Sequence, residues 1–130
     1  MLVVDANVVV WACGSEVGFD HYAREELVAP PFMWAEARNA LHEALWRGEA
    51  SRALAEAAHA RLESAPVRSR AHVRLGPQAW QLAEEFGWAK TYDAEYVALA
   101  QLLDCRLVTL NARLRRACDR LGFVVGPTEL

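Results

Sequence analysis

Residues 1–11 read MLVVDANVVVW. Leu2, Val3 and Val4 form a short apolar run rich in β-branched residues, the composition of a strand covered on both faces in a parallel sheet. Asp5 falls where that strand should end. Val8, Val9, Val10 and Trp11 then resume the apolar content, which suits a helix returning onto the sheet. A carboxylate between two buried segments is costly unless it is paired, hydrated or bound to a metal. Ligands of open α/β sheets gather at the carboxyl ends of central strands, yet Asp is equally a favoured helix N-cap. This stretch alone leaves both readings of Asp5 standing.

The surrounding chain narrows the chemistry. At 130 residues it suits one domain that buries roughly two thirds of its unfolded surface. The expected division is a single domain over residues 1–126 and a loose tail over 127–130. No repeat or low-complexity segment occurs, and the longest mostly apolar window, Leu27 to Ala35, is broken by Pro30 and Pro31 and is too short to span a bilayer. No basic region precedes the first apolar run, so no signal peptide is expected and the chain is expected in the cytoplasm, away from membranes. Cys13, Cys105 and Cys118 have no CxxC spacing and read as reduced, buried thiols rather than zinc ligands or a disulfide framework.

The formal net charge is −3 at pH 7, which gives no global attraction to nucleic acid but leaves room for a local basic face or a bound cation. Lys90 is the only lysine and stands in no GxxxxGK[ST] loop, which excludes a P-loop. The absence of GxSxG and of a histidine next to a plausible nucleophile argues against Ser/His/Asp hydrolysis.

Periodicity organises the remainder. Gly14-Ser15 and Gly18 mark a loop, and Phe19 to Leu27 has the spacing of a short helix. Leu27-Val28-Ala29 is either a brief strand or an extended link. A long helix is predicted from near Pro31, suited to a first turn, to about Arg47, with Met33, Ala37, Ala40, Leu41, Ala44 and Leu45 forming an inward stripe. Glu36 borders that stripe, where a solvated glutamate is the plainer explanation. A second helix follows from Glu49 to Ser64.

Val67 to Leu75 alternates apolar and polar residues, the pattern of an edge strand with one wet face, and Gly76-Pro77 is expected to turn the chain. A helix is predicted over Gln78 to Phe86, ended by Gly87. Asp93 then sits one helical turn before Val97, on the apolar face shared with Ala100 and Leu103. The helix dipole favours a first-turn carboxylate, but an inward orientation exceeds what capping requires. Arg106 to Leu110 reads as a buried strand and Asn111 as an N-cap for a helix over 112–121, whose outer side carries Arg113, Arg116 and Arg120. Phe123 to Val125 supplies a last strand. The five tryptophans are expected in the core or at an interface between copies; base stacking is the alternative and requires exposure.

The strands are too far apart for hairpins, so a parallel α/β sheet with helical crossovers follows. In that arrangement Asp5, Glu36, Asp93 and Asn111 can converge at one edge of the sheet. Three carboxylates brought together repel unless a cation lies between them, and all-oxygen ligands suit Mg²⁺ or Mn²⁺.

The segments VVDANVVVW (Asp5, Asn7), PPFMWAEARNAL (Glu36), TYDAEYVALAQ (Asp93) and LVTLNARL (Thr109, Asn111) together resemble the PIN domains, and among them the VapC-type toxins of toxin–antitoxin pairs. The resemblance spans almost the whole chain in order and spacing. It implies a three-layer α/β/α sandwich with a central parallel sheet, metal-dependent endoribonuclease activity on RNA, homodimerisation and inhibition by a cognate antitoxin. It assigns Asp5, Glu36 and Asp93 to the catalytic, metal-binding acidic site, and Asn7 and Thr109 to its polar support. Asn111 departs from the pattern, standing where the family often has a fourth aspartate, which puts a second metal in doubt. Arg113, Arg116 and Arg120 are candidates for phosphate contacts, with a solvated helix face as the alternative.

Two other readings remain at this point. One is a non-catalytic PIN-like module that binds RNA or protein. The other is a haloacid-dehalogenase-like phosphatase using Asp5 of Asp5-Ala6-Asn7 as nucleophile, although its second acidic position would be Asn7.

Overall fold

A computed structural model describes all residues, 1–130. Its sheet has five strands, β1 (Leu2–Val4), β2 (Leu27–Ala29), β3 (Val67–Ser69), β4 (Arg106–Val108) and β5 (Val124–Val125), in the order β3-β2-β1-β4-β5. Every pairing is parallel, as expected from strands separated by helices. Six helices complete the three-layer α/β/α sandwich: α1 (Ala6–Cys13), α2 (Met33–Trp46), α3 (Arg52–Glu63), α4 (Leu75–Phe86), α5 (Tyr92–Leu103) and α6 (Ala112–Ala117). Helices α1, α2 and α3 pack on one another, while α5 packs on β1, β4 and α4.

The centre of the molecule follows from composition. Leu2, Val3 and Val4 are buried, as are Val28, Leu107 and Val108 beside them. Helix α5 is buried almost all round, from Ala94 through Tyr96, Val97, Ala98, Leu99 and Ala100; its alanines let the helix approach the sheet closely. Cys13 and Cys118 are buried and Cys105 half-buried, and all three are free thiols.

Several local expectations are corrected. Leu27–Ala29 is a true strand, wholly buried beside β1, and the predicted helix over 19–27 reduces to one 3-10 turn at Asp20–Tyr22. The alternating segment 67–75 pairs only over Val67–Ser69. Val73 is 90% exposed, and Leu75 opens α4. Gly76-Pro77 lies inside the first turn of α4, where backbone N–H groups have no helical partner and proline loses nothing. The inward stripe of α2 is buried only at Met33 and Ala37. Helix α6 ends at Ala117, leaving Arg120 on a separate 3-10 turn.

No tryptophan is buried: Trp11, Trp46 and Trp80 are more than half exposed, while Trp34 and Trp88 are half-buried. The C-terminal residues are held, not loose. The His21 ring bonds the Pro127 carbonyl through Nε2 at 2.8 Å, Arg115 pairs with Glu129, and residues 127–129 form a 3-10 turn.

Candidate active site

Register creates the site. Val4 of β1 lies opposite Val108 of β4, so the next residue of each strand, Asp5 and Thr109, are also neighbours. The ladder continues past both strands, with Asp5 N–H donating to the Val108 carbonyl at 3.1 Å and Thr109 N–H to the Val125 carbonyl at 3.0 Å. The Thr109 hydroxyl donates to Asp5 Oδ2 at 2.7 Å.

Asp5 occupies the N-cap position of α1, but its carboxylate makes no cap bond to the helix. The Val8 and Val9 N–H groups bond instead to the Asp5 carbonyl. The capping reading therefore describes its backbone, not its side chain. Asp5 is 5% exposed, and its carboxyl pKa is pushed up to about 6. Burial is the main cause, reinforced by the charges of Asp93 and Glu36 and opposed by the Thr109 hydroxyl and the Ala6 backbone N–H.

Thr109 also organises the polar surround. Its oxygen accepts from the Asn111 N–H at 3.0 Å and lies 3.5 Å from Asn7 Nδ2. Asn7 Oδ1 accepts from the Leu110 N–H at 3.1 Å, tying α1 to the end of β4. Asn111 Oδ1 accepts from the Arg113 and Leu114 N–H groups at 3.0 and 3.2 Å. Its carbonyl oxygen is thus engaged as the cap of α6.

Glu36 arrives from the first turn of α2, and Tyr96 of α5 donates its hydroxyl to Glu36 Oε1 at 2.6 Å. Tyr96 is completely buried, and its phenol pKa is driven far upward by burial and by the bond to Glu36, so it acts as a neutral donor. Asp93, in the first turn of α5, is half-buried, and burial raises its pKa as well. The cleft, about 520 Å³, is lined by Asp5, Asn7, Trp11, Glu36, Asp93 and Asn111, among others.

The structure therefore brings Asp5, Glu36, Asp93, Asn7 and Asn111 to one cleft and sets Thr109 behind Asp5. It does not gather three acidic, histidine or cysteine groups tightly enough to grip one ion between them. The donor set still fits Mg²⁺ or Mn²⁺. It is all oxygen, and Mg²⁺ keeps several waters while using one or two carboxylates.

Among the arginines, Arg120 pairs with Glu85 at 2.6 Å and covers the Phe86 ring at 4.7 Å. Arg116 lies with Arg115, Asp119 and Glu129 around a separate hollow. Arg113 is exposed in the first turn of α6, two residues after the cleft-lining Asn111. Lys90 is exposed and does not line the cleft, which leaves the phosphatase reading without a lysine for its phosphoryl group.

The sequence does not single out Tyr96, and it places Trp11 with the other tryptophans in the core or at an interface, whereas Trp11 is 53% exposed at the cleft. A signal for each was available: Tyr96 is one turn after Asp93, and Trp11 one turn after Asn7, so each shares a helix face with a residue already singled out.

No helix is long and apolar enough to cross a membrane. No curated protein sequence matches the chain. Among solved structures, the crystal structure of PAE2754 from Pyrobaculum aerophilum is similar with a TM-score of 0.76 and 22% identity, over 98% of this chain and 90% of that one. A toxin–antitoxin complex from Klebsiella pneumoniae is similar with a TM-score of 0.67 and 17% identity, over 98% of each chain. Likeness at these identities concerns the fold. The PIN domain family matches residues 2–120, a span that holds every acidic residue of the cleft, and the chain is accordingly a member of the PIN domain family, whose members are generally nucleases.

Proposed function

We propose that this chain is a divalent-cation-dependent endoribonuclease, the toxin of a toxin–antitoxin pair. In this reading residues 1–126 form the catalytic domain, the protein is a cytoplasmic homodimer, and a cognate antitoxin restrains it. The observation that carries the reading is the buried Asp5 carboxylate sharing one cleft with Asp93 and Glu36. A parallel sheet with no catalytic task has no need of a buried charge at the end of its central strand. The toxin–antitoxin assignment draws its support from the Klebsiella pneumoniae complex, whose chain has the same fold over nearly its full length.

Asp5 and Asp93 would hold Mg²⁺ or Mn²⁺, with Glu36 adjacent. When bound, the ion supplies positive charge to the phosphoryl oxygens and lowers the pKa of attacking water. Thr109 holds Asp5 Oδ2 and so leaves Oδ1 for the cleft. Tyr96 holds Glu36 Oε1, so that Oε2 can accept a proton from, and orient, a water molecule. Asn7 fixes Leu110, and through it the loop between Thr109 and Asn111. Arg113 stands where it can meet an RNA phosphate; the engaged Arg120 is poorly suited to that task.

The engagement of Asn111 in a cap, together with the loose spacing of the acids, favours one alternative, a PIN-like module that binds RNA or protein without cutting. One experiment separates them: cleavage of single-stranded RNA by purified protein in Mg²⁺ or Mn²⁺, with and without EDTA, beside Asp93→Asn. Nuclease action requires cleavage that EDTA stops and that Asp93→Asn lowers by roughly 100-fold or more. RNA left intact by the wild type, or cut equally by Asp93→Asn, overturns the proposal.

A further inference from the structure

Trp11 and Leu110, 53% and 45% exposed, form a partition with the acidic cleft on one side. On the other lies an open-mouthed hollow of about 720 Å³, walled also by Val8, Val17 and Tyr22, with Asp20 and Thr128 at its polar rim. Three of the chain's exposed large apolar side chains, Trp11, Val17 and Leu110, converge there. Ligand pockets have this pattern: apolar walls, few polar groups, and a volume of about 300–1,000 Å³.

The walls are fixed before any ligand arrives. Leu110 is tied to Asn7 through its N–H, and Leu110 follows Thr109, which holds Asp5. The far wall is tied by the His21 bond to the Pro127 carbonyl, and His21 packs edge-on against Tyr22 at 5.0 Å.

We infer that this hollow receives an unpaired nucleobase of the RNA strand next to the phosphate held in the acidic cleft, with the Trp11 ring as its stacking platform. The inference rests on the nuclease reading for the strand's position. A strand crossing the cleft is one side chain away from the hollow, because Trp11 and Leu110 border both spaces. An exposed indole offers a π-face to any base, and a duplex, whose bases are already stacked, cannot use it. The Asp20 carboxylate accepts from N–H groups on a base edge, and the Thr128 hydroxyl can donate or accept.

The test is affinity for a short, fluorescein-labelled single-stranded RNA in Mg²⁺, with all proteins carrying Asp93→Asn to suppress cutting. Trp11→Ala should weaken binding by about 5- to 150-fold, the range for one stacked base. Trp11→Leu, which keeps apolar bulk, should show most of that loss. Trp46→Ala, removing a tryptophan that is 81% exposed and lines neither space, should bind as the parent does. In a series of RNAs made abasic at one nucleotide at a time, one position should weaken the parent similarly and Trp11→Ala no further.

Unchanged affinity in Trp11→Ala and Trp11→Leu, or equal abasic losses in parent and variant, overturns the inference. Unchanged RNA affinity with lost antitoxin binding also overturns it and makes the hollow a protein-docking site. Cleavage by the wild type is scored separately. A Trp11-dependent base site in a protein that never cuts RNA would sink the catalytic reading and leave the base site standing.

Discussion

Asp5→Asn should make the metal-free protein more stable. The Asp5 carboxyl has a pKa of about 6 in the folded chain against an ordinary value of 3.8. Between these values the folded state holds a proton that the unfolded state has released. Stability therefore falls as pH rises through this window, and the whole cost is present at neutral pH. Integrating the linkage gives about 3 kcal/mol at pH 7, roughly half of that at pH 5 and well under about 1 kcal/mol at pH 4. At 5% exposure solvent screens little of it.

Asparagine keeps the side-chain shape and an oxygen to accept the Thr109 hydroxyl, and it carries no charge. In EDTA at pH 7, urea denaturation should show a gain approaching 3 kcal/mol, equivalent to a melting-temperature rise on the order of 10 °C. At pH 4 the gain should nearly vanish. Mg²⁺ at ten times its dissociation constant should return about 1.4 kcal/mol to the wild type and less to the variant. A variant no more stable at pH 7, or equally favoured at pH 4 and pH 7, would refute the claim that a buried carboxylate without a counter-charge sits at the end of the central strand.

Tyr96→Phe keeps the buried ring but deletes the donor to Glu36. A hydrogen bond to a charged group is worth about 1.5–3 kcal/mol, so urea denaturation should show a loss in that range, and kcat for RNA cleavage should fall with KM little changed; unaltered stability and kcat would contradict the assigned role. Asn111→Asp preserves an N-cap of equal quality, so stability in EDTA should change by less than about 1 kcal/mol. The added carboxylate should lower the Mg²⁺ concentration needed for half-maximal cleavage, and a higher requirement would argue against a cation in the cleft.

Much of the fold could be read from the chain because its strongest signals are local. The β-branched run Leu2–Val4 and the apolar segment at Leu107 and Val108 marked the central strands, and gaps filled by helical periodicity required parallel pairing. Three-residue strands carry little periodicity of their own. Leu27–Ala29 became legible only through its pairing with β1, and Val67–Leu75 alternated over more residues than the sheet could use. Gly76-Pro77 misled because the same dipeptide that ends an element can also begin a helix.

For the site, residue type and position relative to strand ends carried Asp5, Glu36 and Asp93 to one cleft. The pairing of Thr109 with Asp5 depends on a register that single-strand patterns do not contain. Tyr96 and Trp11 were obscured by the prior that aromatics at helical spacing belong to the core. One of them does lie there and still directs its hydroxyl to a carboxylate; the other lies open to solvent.

The buried charge cannot be relieved by local adjustment. Asp5 is fixed by main-chain bonds on both sides: its N–H is spent on β4 and its carbonyl on the first turn of α1. A rotation that carried the carboxylate to water would break the Thr109 bond while leaving the hydroxyl without its acceptor. The stabilising options are therefore a proton, an amide or a cation. A proton costs the site its charge at neutral pH, and an amide removes it altogether. Among the three, only a cation stabilises the fold and preserves the anionic oxygen facing the cleft. The same register that makes Asp5 costly to the isolated chain thus makes it available to an ion, and stability without metal and competence with metal should move in opposite directions at this position.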